Sequence, residues 1–157
     1  MQRDDLNAWL RLTLTHGIGN AAMRRLLQAF GLPQSVFQQS GAALEQCVSS
    51  AQAQALLQEP PGLAALLDTT WQWLHAAPAG APARALLALG DAQYPALLLE
   101  TEYPPPLLYL LGAARFLALD AQPFPHGSCL AMVGSRHPLP KARATPGNLP
   151  ALCAPPA

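Results

Sequence analysis

Proline is the residue that most limits how this chain can fold. Seventeen of its 157 residues are proline, about twice the usual share. Because proline lacks a backbone N–H and has a fixed φ, it interrupts helices and central strands. Much of the chain must therefore consist of short elements, turns and extended segments. Hydrophobic residues make up 51% of the sequence, which is enough for a core, and the length suits one ordinary domain or a small domain with part of another.

Charged residues are scarce and balanced. They form 11% of the chain, with nine Lys and Arg against nine Asp and Glu, so any site for a polyanion has to be local. The N-terminal segment has acids at positions 4 and 5, unlike a signal peptide, and no stretch is apolar for long enough to predict a membrane helix. The three cysteines, Cys47, Cys129 and Cys153, form no CxxC pair and predict neither a disulfide framework nor a zinc site. We expect a cytoplasmic protein with reduced thiols.

Residues 1–75 have the apolar spacing of short helices. The positions that define the first two apolar faces are Leu6, Trp9, Leu10 and Leu14, then Met23, Leu26, Leu27 and Phe30. Gly31 and Pro33 end the second helix. Two brief helical pieces follow at 41–47 and 50–58, and Pro61 suits the first position of a last helix. The pattern predicts an all-α domain.

The pattern changes after residue 75. Residues 76–84 are rich in alanine, proline and glycine and have the composition of a linker. Three short apolar runs follow at 85–90, 106–112 and 129–134, each bounded by glycine or proline, as is typical of buried strands. They fit the start of an α/β sheet, with the third run opening a Rossmann-like part. The predicted fold class is thus α+β or α/β, a helical domain followed by an incomplete Rossmann-like domain.

The stretch "LTHGIGNAAMRRLL" has the form of a helix-hairpin-helix, in which two helices flank a Gly-apolar-Gly turn. Gly17 and Gly19 permit positive φ, and the isoleucine between them can enter the core. The N–H groups that open the second helix would then face outward with the helix dipole behind them, which favours phosphate. Arg24 and Arg25 are the natural flanking contacts to a DNA backbone. An equally good interpretation is that the turn only joins two packed helices.

The stretch "MVGSR" is a second candidate anion site. Gly134, Ser135 and Arg136 can supply backbone N–H, hydroxyl and guanidinium donors to one phosphate. An ordinary turn at the end of a strand explains the same residues. No Ser/His/Asp, Cys/His or paired-carboxylate arrangement accompanies either site, so the sequence does not predict an enzyme.

Taken in order, these stretches resemble the start of the DNA-processing protein A family (DprA, also called Smf). The resemblance covers residues 6 to about 138. The shared features are Gly90-Asp91, Tyr94-Pro95, the prolines from Pro104 to Pro106, Leu108-Tyr109, Gly112, and Val133 to Arg136.

The resemblance implies a protein that binds single-stranded DNA rather than a metabolic enzyme. Members of the family protect DNA taken up during natural transformation and help to load the recombinase RecA onto it. They have a helical domain that resembles a sterile alpha motif (SAM), here residues 1–75, followed by an extended Rossmann-like domain, here beginning at 85–138. In the family, the VGSR turn contributes to a phosphate-binding pocket. The resemblance therefore implies that Gly134, Ser135 and Arg136 bind phosphate here. We expect no cofactor, no metal and no membrane partner, and the resemblance implies, in the family, a homodimer.

The sequence departs from the family after the VGSR turn. Six of the twenty residues from 138 to 157 are proline, whereas the family continues with a glycine turn and a long helix. We hypothesise that the tail, residues 139–157, is out-of-frame translation and that the chain is a truncated form, in which activity can be lost. Since a parallel sheet needs helices on both faces, we expect the helical domain to fold and residues 85–157 to be marginally stable.

Two other functions fit parts of the pattern. One is a nucleotide-binding Rossmann enzyme, because related folds use a similar G-S-R turn for phosphate, although this reading needs a catalytic carboxylate after the turn. The other is a small helical module that binds duplex DNA or a protein through its hairpin.

Overall fold

A computed structural model describes residues 1–76 and 80–117, all of which belong to one unit, Met1–Phe124. The described chain combines helices with a small two-stranded sheet, an α+β arrangement in general terms. The elements in chain order are α1 (Arg3–Leu14), α2 (Asn20–Phe30), α3 (Pro33–Phe37), α4 (Gly41–Leu44), α5 (Ser50–Leu57), α6 (Leu63–His75), β1 (Ala83–Ala88), α7 (Ala96–Leu99), β2 (Leu107–Gly112) and a 3₁₀ turn (Ala114–Phe116).

One hydrophobic cluster lies among α1 to α5. Leu12, Leu26, Val36, Leu44 and Leu56 are almost completely buried there. Each comes from a different helix, so these short helices are held together by packing rather than by their own propensity. Side-chain caps help to define the last two, because Ser40 Oγ accepts the Ala43 N–H and Ser49 Oγ accepts the Gln52 N–H.

A second cluster joins the helices to the sheet. Leu6 and Leu10 of α1 meet Leu63 of α6 and Leu86 of β1, and Leu107 of β2 packs against them. The sequence-predicted linker, residues 76–84, therefore connects two parts of the chain that pack on each other. The structure also begins β1 at Ala83, inside that segment.

The two strands are antiparallel, with Leu86 opposite Tyr109 and Ala88 opposite Leu107. Tyr109 contributes to the face of the sheet that packs on α6, since its hydroxyl lies 3.3 Å from Thr70 Oγ1 and its ring is in edge contact with Trp73. The described sheet thus contains no parallel pair. The third predicted strand, residues 129–134, lies outside the described residues.

The start of α6 differs from the prediction made for Pro61. The helix begins two residues later, at Leu63, because Gly62 adopts a left-handed φ of 83° that does not belong to a right-handed helix. The apolar face of α6 turns Leu63, Leu66, Leu67 and Leu74 to the second cluster.

Candidate nucleic-acid interface

The hairpin between α1 and α2 is built around one buried isoleucine. Ile18 is buried in the first cluster, and its N–H donates to the Thr15 carbonyl at 3.2 Å. Gly17 has a φ of 76°, in the region that favours glycine, whereas Gly19 has a φ of −88° that any residue adopts. The prediction of positive φ is therefore right for Gly17 and wrong for Gly19, because only the first glycine reverses the chain.

The turn is fixed from the side by α5. The Gln52 side-chain amide donates to the Gly17 carbonyl at 2.7 Å, and Gln52 also completes the capping box of its own helix with Ser49. Since both ends of this contact are anchored, the turn is held in one position before any ligand arrives.

The N-terminus of α2 is open at this turn. Gly19 is the N-cap and supplies no side-chain cap, and the first turn of α2 contains no acidic residue. Gly19 and Asn20 are both exposed. The first backbone N–H groups of a helix lack intrahelical acceptors and carry the positive end of its dipole. This end of α2 therefore offers donors to an anion such as a phosphate.

Arg24 and Arg25 are exposed on α2, but each already donates one hydrogen bond within the protein. Arg24 Nη1 donates to the Glu102 carbonyl at 2.7 Å, and Arg25 Nε donates to the Cys47 carbonyl at 3.0 Å. A guanidinium has five N–H donors, so both keep donors and their full charge for a ligand. The contacts also restrict the side chains, which lowers the entropy lost when they bind.

Tyr103 is an aromatic neighbour of these arginines that the sequence analysis did not single out. Its ring is exposed, and its hydroxyl is hydrogen-bonded to Glu102, whose bond and charge raise the pKa of Tyr103. The positive charges of Arg25 and Arg24 lower the same pKa, by less than Glu102 raises it. The only signal in the sequence was a tyrosine in a proline-rich, exposed segment.

The second predicted site, Gly134, Ser135 and Arg136, lies outside the described residues. Among the described residues, the structure brings together Gly17, Gly19, Arg24 and Arg25 within α1, α2 and their turn.

The described residues that carry the family resemblance have structural roles in the connection between the strands. Gly90 has a φ of 100°, and the Asp91 carboxylate accepts the Ala88 N–H at 2.6 Å. Tyr94 is buried, its hydroxyl donates to the Pro105 carbonyl at 2.6 Å, and burial raises the pKa of Tyr94. Pro95 is the N-cap of α7. These residues hold the chain between β1 and β2.

The two tryptophans of α6, Trp71 and Trp73, both pack against neighbouring side chains. The Trp71 ring lies against His75 with centroids 4.1 Å apart, and the Arg3 guanidinium lies over it. Trp73 contacts Tyr109 and carries the Arg84 guanidinium over its ring. In the described part of the chain, no three His, Cys, Asp or Glu side chains come close enough to hold a metal ion.

Comparison of the chain with protein-family models, with curated proteins and with solved structures finds no match. Among the helices of residues 1–76 and 80–117, none has the length and apolar character needed to cross a membrane.

Proposed function

We propose that this chain is a DprA/Smf-like protein that binds single-stranded DNA in the cytoplasm, protects it during natural transformation and assists the loading of RecA. The observation that carries the proposal is the open N-terminus of α2 beside a fixed glycine turn, with Arg24 and Arg25 exposed on the same helix. Backbone N–H groups, a helix dipole and two guanidiniums all favour the phosphates of a nucleic-acid backbone.

The order of motifs along the chain supports the same proposal. The Gly90-Asp91, Tyr94-Pro95 and Pro104 to Pro106 features follow the helical part as they do in the family, and VGSR follows them. In this proposal residues 1–75 correspond to the SAM-like domain and residues 85–138 to the start of the Rossmann-like domain. The protein acts by binding, not by catalysis, and RecA is its protein partner.

A gel-shift titration with single-stranded and duplex DNA of equal length tests the proposal. We expect a preference for the single strand and an affinity that falls steeply with salt, because each phosphate contact releases counterions. Absence of binding to either DNA overturns the proposal. A preference for duplex favours the alternative of a helical module that uses its hairpin on the DNA backbone.

The double variant Arg24→Gln/Arg25→Gln tests whether the hairpin is the contact surface. Removal of two phosphate contacts from a single-strand complex lowers the slope of log affinity against log salt by about 1.4. Arg115→Gln is the matched control, because Arg115 is also exposed and lies on the 3₁₀ turn, where it packs on Phe116. An unchanged slope in the double variant shows that the hairpin only joins two helices.

A further inference from the structure

An exposed aromatic ring lies beside Arg24, in the connection between β1 and β2. Arg24 Nη1 donates to the Glu102 carbonyl at 2.7 Å, and Glu102 directly precedes Tyr103 in the chain. The Tyr103 backbone is therefore one peptide unit away from a guanidinium of α2. The Tyr103 side chain is 46% exposed, whereas the rings of Trp9 and Tyr94 are buried. Packing within the protein accounts for much less of this ring than of the other two.

The chain that follows Tyr103 is also held in place. Pro104 comes next, and a residue before a proline is largely restricted to extended conformations. The Pro105 carbonyl then accepts a hydrogen bond from the buried Tyr94 hydroxyl at 2.6 Å. Because Glu102 is fixed by α2 on the other side, the ring is carried by a constrained backbone, which lowers the entropy lost when it binds a ligand.

The ring carries no charge at neutral pH. The hydrogen bond and the charge of Glu102 raise the pKa of Tyr103 above its ordinary value of 10.0, and the charges of Arg25 and Arg24 offset only part of this rise. The hydroxyl therefore stays protonated, and the ring adds no negative charge that would repel a phosphate bound by the arginines.

We infer that Tyr103 stacks on one base of a single-stranded DNA whose adjacent phosphates bind Arg24 and Arg25. The inference rests on the function proposed above, and it adds a base contact to the phosphate contacts of the hairpin. An aromatic ring beside cationic side chains is the combination with which proteins bind single strands without sequence preference. The bases of a duplex are stacked within the double helix, so this contact favours the single strand.

Replacement of the tyrosine tests the stacking contact by fluorescence anisotropy with labelled oligothymidylate. Tyr103→Leu keeps an apolar side chain but removes the π-face, and it should weaken binding at least about fivefold. Tyr103→Phe keeps the ring and should bind within about twofold of the wild type. Phe116→Leu is the matched control, because Phe116 is 45% exposed on the 3₁₀ turn, and it should leave the affinity unchanged. Equal losses in Tyr103→Leu and Tyr103→Phe overturn the inference.

An abasic strand of the same length separates stacking from a structural effect of the substitution. It has the sugars and phosphates of oligothymidylate but no bases, so the wild type should bind it more weakly. Tyr103→Leu should bind the abasic strand as tightly as the wild type does, whereas Arg24→Gln/Arg25→Gln should bind both strands more weakly. If Tyr103→Leu loses the same factor on both strands, the tyrosine only supports the connection, and the inference is overturned.

The same measurements distinguish this inference from the proposed function. If the wild type binds neither strand, the proposed function fails and the inference fails with it. If the wild type binds oligothymidylate and Tyr103→Leu binds it equally well, the proposed function stands and the inference alone is overturned. Ultraviolet crosslinking to a strand that contains iododeoxyuridine, followed by peptide mapping, needs no variant. We expect Tyr103 to be crosslinked, and crosslinks found only at other residues overturn the inference.

Discussion

The helical part, residues 1–76, and the strand part, residues 80–117, differ in where their apolar side chains lie. The largest fully buried side chains, Leu6, Leu12, Leu26, Leu44, Leu56, Val36 and Pro33, all belong to the helical part. In the strand part, Leu97, Leu99, Tyr103, Tyr109, Leu111 and Phe116 are exposed.

This difference shows that the two parts depend on each other unequally. Leu86 is buried and Leu107 partly buried in the cluster that they share with Leu6 and Leu10 of α1 and Leu63 of α6, whereas the first cluster is formed entirely within α1 to α5 and their connections. We therefore expect the strand part to open without the helical part, and the helical part to unfold only with the whole.

The largest expected effect is in the first cluster. Leu26→Ala removes a completely buried side chain and should lower the free energy of unfolding by about 2–5 kcal/mol. Leu111→Ala is the matched control in the strand part, where the side chain is 63% exposed, and should change it by less than about 0.5 kcal/mol. Urea denaturation followed by circular dichroism measures both. Similar losses in the two variants would contradict the division into a buried core and a dependent strand pair.

A smaller effect on stability is expected at Tyr94, whose hydroxyl donates a hydrogen bond to the Pro105 carbonyl within the connection between the strands. Tyr94→Phe leaves the Pro105 carbonyl without its donor and should destabilise the strand part by about 1–3 kcal/mol. Hydrogen exchange in β1 and β2 measures this opening, and the amides of α2 serve as the internal control. Equal acceleration in α2 would show that the two parts open together.

The same tyrosine gives the strand part a dependence on alkaline pH. Burial raises the pKa of Tyr94 above its ordinary value of 10.0, so the folded state holds this proton more tightly than the unfolded state. Its contribution is complete below pH 10.0 and is lost as pH rises through the higher folded pKa. The wild-type strand part should therefore lose stability in that alkaline range, and Tyr94→Phe should lose less. Identical pH profiles would contradict the role of the hydroxyl.

The sequence predicts the helical part well because the apolar residues on the buried face of a helix recur every three or four positions along the chain. The predicted positions Leu6, Leu10, Met23 and Leu26 are buried as expected, and Ile18 enters the core between the two glycines. Helix boundaries are less certain, since left-handed Gly62 delays the start of α6.

The pairing of the strands and the surroundings of the candidate site depend on distant contacts that local patterns do not contain. The apolar runs locate β1 and β2, but antiparallel pairing requires the connection to turn back, and within that connection Tyr94 is hydrogen-bonded to the Pro105 carbonyl. The contacts of Arg24 with Glu102 and of Arg25 with Cys47 join residues far apart in sequence.

The smallest expected effect compares one glycine from each part. Gly17 and Gly90 have φ values of 76° and 100°, so alanine at either position adds a similar strain of about 1–2 kcal/mol. Gly17→Ala disturbs the turn that carries Ile18 into the first cluster, and it should lower the global free energy of unfolding by that amount. Gly90→Ala should instead increase local opening of β1 and β2 and leave the exchange of the most protected α2 amides unchanged. Thermal denaturation together with hydrogen exchange distinguishes the two results. If Gly90→Ala lowers the global free energy of unfolding as much as Gly17→Ala, the strand part unfolds cooperatively with the helical part. Our expectation that the strand part opens on its own would then be wrong.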